Sequence, residues 1–198
     1  MSVDRLRFEQ AIAAIDAANA DDPTRLEWRG ETRPKEMVHA ELMTAWVERL
    51  DPGATEEQLL AARANHLRRW AIPREGYPEG RAGYLRWRRE LGKRHAEDVG
   101  AILSEHGYPA SSIERVQQIV RKEGLKKDPQ VQAHEDALCL TFLQTQFDPL
   151  ADRLGDDHTV EVLRKTLAKM SPRGRSEALE LDLGERARAL VERALAAA

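Results

Sequence analysis

Apolar residues recur every three or four positions along most of the chain, and the strict alternation of a half-buried strand is nearly absent. Phe8, Ile12 and Ile15 share one face of a first helix over about 4–19. "DDPTRLEWRGETRP" then reads as an irregular polar connection. A second helix opens after Pro34 and turns Val38, Leu42, Ala45 and Trp46 inward. Thr55-x-x-Gln58 is a capping box for a third. That helix is predicted to run to about Trp70, before Pro73 removes a donor. A Gly/Pro-rich stretch, "IPREGYPEGRAG", precedes a long helix over about 80–106 with the stripe Tyr84, Trp87, Leu91, His95, Val99, Ile102. Ser111-x-x-Glu114 predicts the start of the next, striped by Ile113, Val116 and Val120. Asp128-Pro129 supplies an N-cap and first position for a helix reaching Phe147, and Asp148-Pro149 a short continuation. "TVEVLRKTLAKM" and "ERARALVERALAAA" close the chain, joined by "SPRGRSEALELDLG", in which Ser171 caps a turn opened by Pro172. With no repeat and no dividing linker, one compact all-α bundle is expected. Residues 1–33 form its N-terminal helix and connection, and 34–198 its helical core.

Composition agrees. A length of 198 residues suits one domain with a good core, and 41% hydrophobic with 33% charged residues reads as a soluble globular chain. No apolar run approaches the roughly 20 residues of a membrane span, and "MSVDRLRFEQ" lacks the apolar core of a secretory signal. The single cysteine, Cys139, excludes a disulfide framework and a cysteine-based zinc site. A cytoplasmic protein with no membrane partner is expected. The net charge of −3 argues against a generic nucleic-acid coat, but the charge is uneven. Residues 1–62 hold 7 Lys/Arg against 13 Asp/Glu, whereas 63–94 hold 10 against 3. The basic character is local, as a site would have it.

His39, His66 and His95 fall on three different predicted helices, each on the apolar side, and Asp136 joins the stripe Cys139, Leu140, Leu143, Phe147 of a fourth. Four groups able to ligate a metal therefore point inward from successive helices. Neutral imidazoles and carboxylates suit divalent ions, which generate hydroxide and polarise phosphoryl groups. This layout resembles the HD superfamily of metal-dependent phosphohydrolases, whose helical bundle carries a histidine, a His-Asp pair, further histidines and a lone aspartate. "RHAEDVGAIL" resembles its histidine-bearing helix and "EDALCLTFL" its last aspartate helix. The resemblance implies an HD-domain-like bundle with one divalent metal (Mn, Fe, Co, Ni or Zn) on His66, His95 and Asp136, helped by His39 or Glu135. The sequence departs where the superfamily has His-Asp: here His66 is followed by Leu67, so a direct carboxylate ligand is missing and a second metal is hard to hold. From Pro34 through the final helix the chain is also similar to an uncharacterised family, domain of unknown function 4202. The matching stretches are "AARANHLRRWAIPREGYP", "RAGYLRWRRELGKRHAED", "IERVQQIVRKEGLKKDP" and "KMSPRGR".

Hydrolysis of a phosphate ester or nucleotide is the function the HD resemblance implies, with Glu90 or Glu123 accepting a proton from water. Arg68 and Arg69 follow His66 directly, and Arg121, Lys122 and Lys126 precede the Asp136 helix. Guanidinium forks suit phosphate; equally, Arg68 and Arg69 complement a helix C-terminus, and the lysines make an ordinary charged loop. Tyr77, inside the Gly/Pro loop, is the freest aromatic to stack a base, whereas Trp87 reads as core. Two further classes stay open: a non-catalytic pocket for a nucleotide or an RNA phosphate, and a scaffold whose basic face docks an acidic partner. No P-loop, nucleophile elbow or dinucleotide fingerprint is present, and nothing in the sequence reads on oligomeric state.

Overall fold

The computed structural model describes residues 3–196. In chain order these form α1 (Val3–Ala20), β1 (Arg25–Trp28), β2 (Glu31–Pro34), α2 (Lys35–Leu50), α3 (Glu56–Arg63), α4 (Gly80–Glu105) and α5 (Ala110–Arg121). Then follow α6 (Pro129–Thr145), α7 (Phe147–Leu154), α8 (Asp156–Leu167), α9 (Pro172–Leu179) and α10 (Glu185–Leu195). The protein is all-α, apart from one small hairpin. Among the described residues, no helix is long and apolar enough to cross a membrane.

Local signals open several helices as expected. Thr55 accepts from the Gln58 amide while Gln58 reaches back to the Thr55 amide. Asp128 accepts from the amides of Gln130 and Val131, with Pro129 at the first position. Ser171 accepts from Gly174 N, with Pro172 behind it.

Four expectations change. "DDPTRLEWRGETRP" is not irregular: β1 and β2 pair antiparallel, Leu26 opposite Arg33 and Trp28 opposite Glu31, across Arg29 and Gly30. Both turn residues have positive φ, 52° and 82°, the requirement of a tight primed hairpin turn. The third helix stops at Arg63 rather than near Trp70; the chain unwinds through Asn65 and Leu67 to Arg68, which is left-handed at φ 51°. Ser111 lies inside α5, which starts at Ala110 behind Pro109, and it is Ser112 that bonds outward, to Glu57 at 2.8 Å. The connection "SPRGRSEALELDLG" contains α9.

Two apolar cores result. One gathers Met43, Leu140, Leu163, Leu167 and Met170 from α2, α6 and the C-terminal helices. The other packs Ile15, Leu60, Leu67, Leu103 and Ile119 between α1, α3, α4 and α5. α6 serves both, with Leu140 in the first and Val131 in the second. Polar side chains are buried where α2 and α6 meet α3 and α4: Glu36, His39, Asn65, His95 and His134 are each at least nine-tenths covered. The Gly/Pro loop is pinned over one end, because Trp87 Nε1 donates to Ile72 O at 2.8 Å.

Asp136 holds α9 onto α6. Its Oδ1 accepts from Gln132 Nε2 and Ser171 N, each at 2.9 Å, and its Oδ2 from Ser171 Oγ at 2.5 Å. Gly174 is needed there, since a Cβ would stand 2.6 Å from Asp136 Cγ. Asp136→Ala leaves buried donors unpaired, and is expected to destabilise by about 2–4 kcal/mol in urea unfolding. Gly174→Ala should lose a comparable amount, and the double variant less than the sum, because both changes open one junction. Strict additivity would show that the two residues act apart.

Candidate functional site

α2 begins directly after the hairpin, and Asp22 sets its first turn. Asp22 Oδ2 accepts from the Glu36 amide at 2.9 Å, while Oδ1 accepts from Thr24 N. Glu36 is thereby held near the helix N-terminus, where the backbone dipoles favour a carboxylate. Three residues on, His39 lies on the same face. The unwinding after Arg63 swings His66 over both.

His39 Nδ1 lies 3.2 Å from Glu36 Oε2, and His66 Nδ1 lies 3.3 Å from the same oxygen, off the line of a hydrogen bond. One ligand atom from each of Glu36, His39 and His66 falls within 4.8 Å of the others, the group of this kind among the described residues. The tautomer of His39 follows from its other side. Thr145 Oγ1 donates to Thr141 O at 2.7 Å, so it accepts at 3.1 Å from His39 Nε2–H. In a neutral His39 the Nδ1 lone pair therefore faces the carboxylate oxygen. That pairing is repulsive unless a cation sits between them.

His95 extends the row, its ring centroid 5.8 Å from that of His66, with His39 at 6.4 Å on the other side. His95 Nδ1–H donates to Leu67 O at 2.7 Å, fixing the unwound turn and leaving the Nε2 lone pair unbonded. Burial pushes the His95 imidazole down to about 4, against the pull of Leu67 O. Burial also holds His66 well below the usual imidazole range, although Glu36 opposes it. Burial alone would raise the Glu36 carboxyl, but the adjoining His66 and His39 imidazoles outweigh it and hold the group well below normal. The expected state near neutral pH is an ionised Glu36 beside neutral His66 and His95.

Beside the row lies a small pocket of about 40 Å³, lined by Asn65, His66, Arg69, Arg88, His95 and Lys122 among others. Arg69 stacks over Trp87, its guanidinium carbon 4.8 Å from the ring centre, and also borders a wider cleft of about 150 Å³ with Glu36, Lys35, Arg74 and Trp70. Lys122 is itself left-handed, at φ 59°, and pairs with buried Glu135 at 2.5 Å. Asn65 Oδ1 accepts from His134 Nε2 at 2.9 Å, while its Nδ2 has no hydrogen-bond partner among the described residues. Donors therefore converge on a space beside the Glu36, His39 and His66 group.

Of the residues marked out by sequence, His39, His66, His95, Arg69 and Lys122 come together. The others do not. Asp136 points inward, but into the α9 junction, with both oxygens bonded to Gln132 and Ser171. Glu135 answers Lys122 and Lys169 rather than an imidazole. Glu90 is exposed and stands near Tyr77, and neither lines the pocket beside the row. Glu123 and Arg121 pair with each other on the surface at 2.7 Å. Lys126 Nζ donates to Ala168 O at 2.8 Å near the end of α8, and Arg68 faces outward from its left-handed turn. Glu36, Asn65, Arg88 and His134 were missed. For Glu36 a signal existed: a glutamate and a histidine three apart, the histidine facing inward with Leu42, Met43 and Trp46.

Over residues 9–191 the chain matches the profile of a family described as Domain of unknown function (DUF4202). Comparison with curated proteins and with solved structures finds no match.

Buried His134 gives the site a pH signature. Burial, then the charge of Lys122, lowers it to about 3, against about 6.5 in an unfolded chain. Between those values the unfolded state holds more protons, so stability falls as pH falls. From pH 7 to 5 this residue should remove about 2 kcal/mol in urea unfolding. His134→Gln should lose less over the same interval; an unchanged slope would mean that His134 is charged in the folded protein.

Proposed function

The chain belongs to the DUF4202 family, and from its site we propose that it is a metal-dependent phosphohydrolase acting on a phosphate ester. One observation carries this: the Nδ1 atoms of His39 and His66 converge on Glu36 Oε2, with the His39 lone pair turned to the carboxylate. Two imidazoles and one carboxylate suit Mn, Fe, Co, Ni or Zn. Glu36, His39 and His66 would hold the ion, with His95 Nε2 next in the row. Such an ion, when bound, polarises a phosphoryl oxygen and makes water a better nucleophile.

The remaining work falls to the chain's own groups. Arg69, Arg88 and Lys122 bind the phosphoryl oxygens, guanidinium forks giving direction and the ammonium point charge. Asn65 Nδ2 offers a further donor. Glu135 keeps Lys122 extended into the pocket; its own charge is already answered. His95 Nε2, unprotonated near pH 7, takes a proton as water attacks phosphorus. The ester P–O bond breaks, the leaving oxygen takes that proton back from His95 Nε2, and the products are an alcohol and inorganic phosphate. The enclosing bundle keeps bulk water away from these charges, which strengthens each interaction.

The order of His39, His66 and His95 along the chain supports a diverged HD type, with Glu36 supplying the carboxylate that the residue after His66 does not. Protein purified without chelator should carry about one equivalent of a divalent transition metal by elemental analysis. Glu36→Gln and His39→Ala should lose it, together with at least about 100-fold in phosphatase kcat/KM. Arg88→Ala should keep the metal and raise KM. Metal-free protein that takes up no ion, or hydrolysis undiminished in chelator, would leave a non-catalytic phosphate-binding pocket as the function.

A further inference from the structure

The first half of α4 presents a basic stripe that runs into the pocket. Gly83, Trp87, Leu91 and His95 form its buried edge, at intervals of four. Arg81, Leu85, Arg88, Arg89 and Gly92 follow one another on the opposite side at helical spacing. Arg81, Arg88 and Arg89 are exposed and make no ion pair among the described residues, whereas Lys93 and Arg94 are answered by Glu97 and Asp98 at 3.6 and 2.8 Å. The acids nearest in the chain, Glu75 and Glu79, lie in the preceding loop, and Glu90 turns to Tyr77. On a chain of net charge −3 this segregation is the opposite of an evenly solvated surface.

Two features specify the ligand. Tyr84 and Leu85 are 42% and 50% exposed among these cations, and the Tyr84 ring lies tilted 5.9 Å from that of Trp87. Arg88 stands 5.9 Å over the Tyr84 ring and donates to its hydroxyl, a cation–aromatic pair that offers a planar base a stacking partner. Arg88 belongs to both surfaces: it stands on the stripe and lines the pocket with Lys122 and His95. A single anion is served by the pocket alone, while the stripe continues about 10 Å from Arg88 to Arg81. A row of cations leading to an enclosed anion site fits a row of phosphates with one at its end. A glutamate-rich peptide would meet the same cations, but it offers Tyr84 no bases and the pocket no terminal dianion.

We propose that this stripe docks a single-stranded polynucleotide whose terminal phosphate enters the pocket at Arg88. The inference rests on the pocket being the phosphoryl site and adds the substrate class. Counterion release by the arginines and stacking on Tyr84 supply affinity with little sequence preference.

The test is fluorescence anisotropy in chelator, which removes turnover, with an end-labelled oligouridylate of about 12 residues carrying a terminal phosphate. Binding should weaken steeply with salt. The Arg81→Ala/Arg89→Ala double variant should bind at least about five-fold more weakly, with a salt slope smaller by about 1.4, the share of two phosphate contacts on a single strand. Removing the terminal phosphate should weaken wild-type binding but not that of Arg88→Ala. No binding, equal affinity in the double variant, or equal competition by polyglutamate would overturn the proposal, the last pointing to an acidic protein. Failure here with metal and small-ester hydrolysis intact sinks only the polynucleotide. Binding by wild-type protein that neither takes up a metal nor hydrolyses a small phosphate ester supports the docking surface and removes the hydrolase.

Discussion

One buried oxygen organises this protein: Glu36 Oε2, on which two imidazole nitrogens converge at 3.2 and 3.3 Å. A carboxylate away from water is destabilising unless its charge is answered, and much of the surrounding architecture supplies that answer. Asp22 fixes the first turn of α2 and puts the carboxylate at the favourable end of the helix dipole. Thr145 commits the far nitrogen of His39 as a donor, so that the near one meets Glu36 either as the N–H of an imidazolium or, on a neutral ring, as a lone pair. The early end of α3 brings His66 to the same oxygen, and His95 holds that unwound turn by its bond to Leu67 O.

Charge is sorted around this centre. Burial holds the His66 and His95 imidazoles below their usual range while Glu36 is held ionised, a protonation pattern that suits a divalent ion. Next to them Arg69 and Arg88 line a pocket with Lys122, whose charge Glu135 answers at 2.5 Å, while Asp136 is turned into the α9 junction. A carboxylate–imidazole group thus adjoins a pocket lined by cations, which is the basis of the proposed transfer of a phosphoryl group to water. Arg88 links that interior to the exposed stripe of α4, so interior and surface chemistry share one helix.

Much of the fold was legible because its signals are local. Thr55 with Gln58 and Asp128 with Pro129 are complete within four residues and each opens a helix as read, whereas Ser171 with Pro172, read as capping a turn, opens α9. What escaped depends on partners distant in sequence. α3 ends at Arg63, where the pattern favours helix, and His95 holds the unwound turn from another helix. The hairpin hid in two four-residue strands whose clearest mark is Arg29-Gly30. For the site, helical periodicity turned His39 and His95 inward but passed over buried His134, and it did not say which neighbour each meets. Asp136 faces inward as read, yet its partner is Ser171, 35 residues on. Glu36 looked like an ordinary first-turn acid, because the hairpin and Asp22 that bury it lie outside its own helix.

The central claim, that a cation belongs between these three side chains, is tested most directly by anomalous X-ray scattering from crystals grown with a divalent transition metal. The account predicts one peak about 2.0–2.2 Å from Glu36 Oε2, His39 Nδ1 and His66 Nδ1 together. No peak there, or a peak held by other residues while His39 Nδ1 bonds Glu36 as an imidazolium, would contradict it.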